Sequence, residues 1–170
     1  MRIFKEEQRF TQPWLLMLLG ISVVLPLMIL LTDFYKENSS MSLKEWSISI
    51  ALIAICIVPI FFFKLITRID EIGIHFQFFP FQLSLKTIAW SELNSAKTRT
   101  YDAITEYGGW GLKGGALWNK KKGRAYNISG NIGIQLYFKN GNKILIGTQK
   151  QQDVNLILNT YETKINQNNI

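Results

Sequence analysis

The stretch NIGIQLYFKNGNKILIGTQKQQDVNLILNTYETKI, Asn131 to Ile165, changes its period halfway along. Up to Gln149, two apolar-rich runs flank Asn140-Gly141, the strongest short signal for a tight turn between antiparallel strands. From Gln151 onward, Val154, Ile157, Leu158, Tyr161 and Ile165 fall on one stripe at helical spacing. Thr148 and Gln151 have capping-box spacing, and Asp153 suits the positive end of a helix dipole. The pattern predicts a strand hairpin followed by an amphipathic helix.

Strand-like sequence extends upstream. IGIHFQF, Ile72 to Phe78, alternates with period two and places Gly73, His75 and Gln77 on one face. LSLKTIAW follows after FPFQ, where Pro80 breaks the strand, so these runs predict a second hairpin. AKTRTYDAITEY, Ala96 to Tyr107, is a weaker alternating stretch. Residues 67–165 therefore predict a mainly-β domain with a C-terminal amphipathic helix, and 166–170 a frayed polar tail. A length of about one hundred residues suffices for an independent core.

Ahead of this domain the composition changes. PWLLMLLGISVVLPLMILLT, residues 13–32, carries no charge. As a helix it reaches about 30 Å, the thickness of a bilayer's hydrocarbon core. Pro26 lies mid-span, a position that spanning helices tolerate when neighbours satisfy the freed carbonyl. WSISIALIAICIVPIFFFKLI, residues 46–66, is uncharged through Phe63. Its β-branched content suits a strand, but the uncharged length favours a second spanning helix. Residues 1–66 thus predict a short tail and a transmembrane hairpin.

The mixed charges of MRIFKEEQRF, the long apolar run and the lack of an A-x-A site argue against a cleaved signal peptide. Arg2, Lys5 and Arg9 precede the first span, and Lys64 and Arg68 follow the second. The connector 33–45 holds only Lys36 and Lys44. The positive-inside rule then places both termini in the cytoplasm. Overall the 170 residues carry a net charge of +7, and the single cysteine, Cys56, can form no internal disulfide.

YGGWGLKGG, Tyr107 to Gly115, matches the nucleotide-binding pattern G-x-G-x-x-G at Gly109, Gly111 and Gly114. No helical stripe follows it, no acid lies between Glu106 and Asp153, and no G-K-[ST] is present. Those absences exclude the dinucleotide fingerprint and the P-loop. Glycine instead permits positive φ and sharp bends. The stretch predicts a glycine-bent strand that presents Trp110, either into the domain interior or against the membrane.

The acid-free interval carries Lys113, Lys120, Lys121, Lys122, Arg124, Lys139, Lys143 and Lys150, and Trp118 precedes the dense NKKKGR. Trp110, Lys113, Trp118, Lys120, Lys121, Lys122 and Arg124 are the candidate contacts to lipid or to a partner. A solvated loop would have the same composition. Beside an anionic leaflet, however, each such cation contributes about 1 kcal/mol. For Phe78, Phe79 and Phe81 the two readings are bilayer contact and core, and core is favoured. No nucleic-acid recognition motif is present. His75 has no identifiable partner, and Glu92, Asp102 and Glu106 lack metal-ligand spacing, so no catalytic residue, metal or cofactor is expected.

The runs DEIGIHFQ, IAWSEL, YGGWG, AYNISGNIGIQL and ILIGTQ, together with two apolar blocks ahead of them, carry a resemblance. From about Ile69 to Leu158 the chain resembles the bacterial pleckstrin-homology-like domains of small membrane proteins, a family without assigned activity. Lys150-Gln151-Gln152 stands where relatives often have a proline. The resemblance implies a strongly bent antiparallel barrel or sandwich, one end plugged by the helix, and with the charge tally this domain is expected at the cytoplasmic face of a bacterial membrane. The expected function is a non-enzymatic, membrane-anchored module that binds a protein partner or anionic lipid headgroups. The alternative is a subunit of a membrane complex that associates through its spans, with Gly20, Ser22, Ser47 and Ser49 as small-residue contacts.

Overall fold

The computed structural model describes residues 3–36, 42–114 and 123–166. The chain forms two compact units, one from residues 10–63 and the other from the segments on either side of it.

The apolar unit contains α1 (Pro13–Phe34) and α2 (Leu43–Ile57), the latter continuing as a 3-10 turn over Val58–Phe62. Pro13 occupies the first turn of α1, where its missing N–H costs nothing. Ser42 caps α2 in a reciprocal box with Glu45: its hydroxyl accepts from Glu45 N at 3.3 Å, and its own N–H donates to the Glu45 carboxylate at 2.8 Å. Pro59 has no N–H for the α-helical ladder, and the helix tightens there. Both helices, Pro13–Phe34 and Leu43–Phe62, are long and apolar enough to cross a membrane. The second therefore begins before Trp46 and ends before Lys64, not at residue 66. Phe34 and Trp46 pack at 5.5 Å at one end of the unit, and Phe10 and Phe63 at 6.2 Å at the other.

The β unit corrects the expected boundary at residue 67. The segment expected as a tail contains a strand, β1 (Phe4–Arg9), which pairs antiparallel with β2 (Lys64–Ile69) from Phe4↔Ile69 to Arg9↔Lys64. β1 buries Phe4, Glu6 and Gln8 and exposes Lys5, Glu7 and Arg9. A buried carboxylate is costly unless it is hydrogen-bonded. Here Thr148 Oγ1 donates to Glu6 at 2.6 Å and Gln149 N at 2.9 Å. Gln8 Nε2 donates to Gly147 O at 2.8 Å.

The first sheet has the order β1-β2-β3-β4, with β3 (Gly73–Phe79) and β4 (Lys86–Ala89) forming the expected hairpin. The remaining strands are β5 (Leu93–Thr100), β6 (Gly111–Lys113), β7 (Arg124–Asn127), β8 (Ile132–Phe138) and β9 (Lys143–Gly147). They form a second sheet of order β5-β8-β9-β7-β6, antiparallel except at β7–β9. The β8–β9 hairpin turns at Asn140-Gly141, where Gly141 takes φ 82°. A short helix, α3 (Ala103–Tyr107), interrupts the stretch expected to alternate, because Asp102 accepts from Ile104 N and Thr105 N and caps a helical turn.

The core sits between the sheets and the last helix, α4 (Gln151–Asn166). Leu65, Ile74, Phe76 and Phe78 of the first sheet and Ile134, Leu136, Leu145 and Ile146 of the second are fully buried. Phe76 meets Tyr126 across the sheets at 4.6 Å. All five residues of the α4 stripe, Val154, Ile157, Leu158, Tyr161 and Ile165, are buried, and Tyr161 stacks on Trp90 at 5.5 Å. Burial of that stripe stabilises by roughly 1.5–3 kcal/mol per large side chain. The capping box does not form, because the Thr148 hydroxyl accepts from Lys150 N and donates to Glu6 instead. The architecture is thus two long apolar helices, two mainly-β sheets and a C-terminal helix.

Candidate functional site

The glycine-rich stretch begins by ending a helix. Gly108, at φ 74°, is the left-handed cap of α3. Its N–H donates to Ile104 O at 2.8 Å, and Gly109 N donates to Ala103 O at 2.7 Å, which satisfies the last carbonyls of the turn. Among the described residues of the stretch only Gly111–Lys113 is strand, so the expected bent strand is a helix cap followed by a short edge strand. Trp110 packs, partly buried, against the cluster of Tyr101, Ala103, Tyr107, Ala125 and Leu145. Its indole Nε1 donates to Gly130 O at 3.2 Å. The ring thus packs on its own domain.

Trp110 also walls a groove of about 470 Å³ lined by Tyr101, Asp102, Ile104, Glu106 and Asn131. Both carboxylates there are engaged. The amides of Thr105 and Ile104 hold the Asp102 carboxyl below its ordinary value. Glu106 forms a two-pronged ion pair with Arg99, at 2.8 and 3.1 Å, and accepts from Asp102 N.

Lys113 and Arg124, two of the basic candidates, flank a constricted neck. Gly114 (φ 92°) follows β6, and Gly123 (φ 79°) precedes β7. A Cβ on Gly114 would lie 2.7 Å from Gly123 O, and one on Gly123 would collide with the Lys143 carbonyl. Glycine is required at both feet because of the positive φ and the close backbone approach. Trp118, Lys120, Lys121 and Lys122 lie outside the described residues. Lys113 ends β6 and Arg124 opens β7, so the structure brings these two to the base of the basic segment. Lys143 and Lys97 extend the positive region. Their Nζ atoms lie 5.7 and 5.6 Å from the centre of the Tyr137 ring, a cation–π arrangement. None of Lys97, Lys113, Arg124 and Lys143 forms an ion pair with a carboxylate among the described residues.

A second polar cluster corrects the reading of His75. Its Nε2 lies 3.0 Å from Asp70 Oδ1 and its Nδ1 2.9 Å from Thr87 Oγ1, while Arg68 pairs with Asp70 Oδ2 at 2.9 Å. The strand register makes this set: Arg68 faces His75 on β2–β3, and His75 faces Thr87 on β3–β4. Asp70 is buried and also accepts from Ile72 N at 2.9 Å. Burial pushes its carboxyl up, but the bonds from His75 and Ile72 outweigh that, and it stays below its ordinary value. Sequence reasoning missed the cluster because Asp70 lies in the turn between strands. The signal that could have found it is the antiparallel register about that turn.

The other acids named from the sequence serve local structure. Glu92 accepts from Ala89 N at 3.0 Å. Among the described residues no three His, Cys, Asp or Glu side chains converge as a metal site requires. The Phe run also needs correction: Phe78 is buried and Phe79 half-buried, but Phe81 is 63% exposed because it follows Pro80 into a surface loop. In the apolar helices, the hydroxyls of Ser22, Ser47 and Ser49 donate to carbonyls of their own helices. No protein-family model, curated protein or solved structure matches the chain.

Proposed function

We propose that this chain is a membrane-anchored, non-enzymatic module with a pleckstrin-homology-like β unit. In this reading α1 and α2 cross a bacterial cytoplasmic membrane as a hairpin. The β unit works at the cytoplasmic face and engages anionic lipid headgroups or a protein partner through the basic neck. The observation that carries the proposal is the pairing of Arg9 with Lys64. The chain leaves the sheet for the apolar segment at one of these residues and returns at the other. Only Phe10–Gln12 and Phe63 intervene between strand and helix. At about 3.5 Å per extended residue, such tethers keep the β unit beside the bilayer. The charge count around the spans supports the cytoplasmic side, and two sheets closed by α4 support the resemblance.

The test is hydrogen exchange of the full-length chain in nanodiscs of neutral and of anionic lipid. Peptides covering residues 113–124 should exchange more slowly in the anionic discs. High salt, or changing Lys120, Lys121, Lys122 and Arg124 together to Gln, should abolish the difference. Equal exchange in both lipids at low salt would contradict the lipid reading and leave the partner reading. Crosslinking from Lys113 in native membranes tests that one, and an absence of adducts would contradict it.

A further inference from the structure

We infer that the β3–β4 loop, residues 80–85, is an interfacial wedge whose apolar side chains seat among the headgroups and upper acyl chains of a bilayer. The inference rests on the proposal that α1 and α2 span that bilayer. Lys64 pairs with Arg9 on one side and with Phe79 on the other. Arg9, Lys64 and Phe79 therefore form one row across the end of the first sheet. Two members of that row are the points where the chain departs for, and returns from, the apolar helices. The third opens directly into Pro80. The chain therefore enters and leaves the proposed spans from this end of the sheet, through linkers of one and three residues.

The loop reads PFQLSL, and it turns its large apolar side chains outward: Phe81 is 63%, Leu83 82% and Leu85 45% exposed. Its conformation is fixed by hydrogen bonds. Gln82 N donates to Phe78 O at 2.9 Å, Gln82 Oε1 accepts from Phe78 N at 2.9 Å, and Gln77 Nε2 donates to Gln82 O at 3.0 Å. Phe81 stacks on the buried Phe78 at 6.1 Å. A pinned turn that holds three apolar side chains in water is unfavourable on a free surface.

Charge selects the occupant. No acid lies between Glu71 and Glu92. Behind the apolar tip, Lys64 Nζ sits 5.6 Å from the Phe79 ring centre, and Lys86 is exposed at the loop's exit. Apolar tips backed by cations match the acyl boundary and the anionic headgroups above it. Three side chains fall far short of the roughly 800 Å² per partner that a stable protein interface buries. A bilayer already tethered to this end of the sheet has no such requirement.

The experiment uses the full-length chain in a Cys56→Ala background, reconstituted in vesicles of phosphatidylcholine and phosphatidylglycerol. Spin labels are placed singly on Leu83→Cys, Leu85→Cys, Leu25→Cys in α1 and Glu162→Cys in α4. Collisions with oxygen and with a water-soluble nickel chelate are compared. The ratio of oxygen to nickel accessibility at residues 83 and 85 should approach that at 25 and exceed that at 162 several-fold. Nickel accessibility at 83 and 85 equal to that at 162, with 25 still shielded, overturns the wedge and leaves the spanning reading intact. Shielding of 83 and 85 from both reagents means burial against protein and also overturns it. Nickel access at all four positions overturns both readings.

Discussion

Asp70 ties the β2–β3 turn of the first sheet to its neighbouring strands. One carboxylate binds Arg68, His75 and the Ile72 amide at the β2–β3 turn. Asp70→Asn keeps the shape but loses the charge. That leaves Arg68 without its partner, and we expect a loss of roughly 1–3 kcal/mol in denaturant unfolding of the detergent-solubilised chain. The sign with pH follows from the depressed carboxyl. The stabilisation is fully present above the unfolded carboxyl's pKa, about 3.9. It is lost as pH falls through the lower folded value. The Asn variant should therefore lose less stability than the parent on acidification below pH about 4. A parallel decline in both proteins would show that Asp70 contributes nothing to acid sensitivity. His75 was readable as a strand residue from its alternation, but its partners were not. They depend on register, which the turn sets and a single strand's sequence does not encode.

Among the elements, α4 and the β8–β9 hairpin were legible because their buried positions are apolar and follow one period. β1 has the same alternation but fills two of its three buried positions with Glu6 and Gln8. Without Thr148, Gln149 and Gly147 in view, those residues look solvated. The partners lie about 140 positions further along the chain, with Thr148 bonded to Glu6 across a separation of 142. The second span's end was misplaced for a related reason: Lys64–Ile66 is apolar enough to prolong a helix, but it is claimed by pairing with β1 and β3. Glu6→Ala should leave the Thr148 hydroxyl and the Gln149 amide without their acceptor, at a cost of roughly 1–3 kcal/mol. Amide exchange should accelerate in β1 and along the β2 strand it covers, with exchange in α1 and α2 unchanged. Unchanged protection of β2 would mean that β1 contributes little to the sheet. The same pairing means that a fragment starting at Thr67 would lack β1 and half of β2, so binding experiments require the whole chain.

For the whole molecule, the consequential feature is that one β unit is assembled from both sides of the apolar segment. Sequence patterning showed two apolar blocks and a β region as separate parts. It could not show that the strand ahead of the first block completes the sheet after the second. If α1 and α2 cross a membrane as proposed, that closure requires an even number of crossings, whichever side the small excess of positive charge favours. The most direct test of the anchored-hairpin account is labelling of single cysteines by a membrane-impermeant maleimide in a Cys56→Ala background. The sites are Lys5 in β1, Lys44 at the start of α2 and Glu162 in α4, read in intact spheroplasts and in inside-out vesicles. The account predicts that residue 44 labels only in spheroplasts and that 5 and 162 label only in inside-out vesicles. Labelling of 5 and 162 from opposite sides, or of all three from the same side, would contradict it.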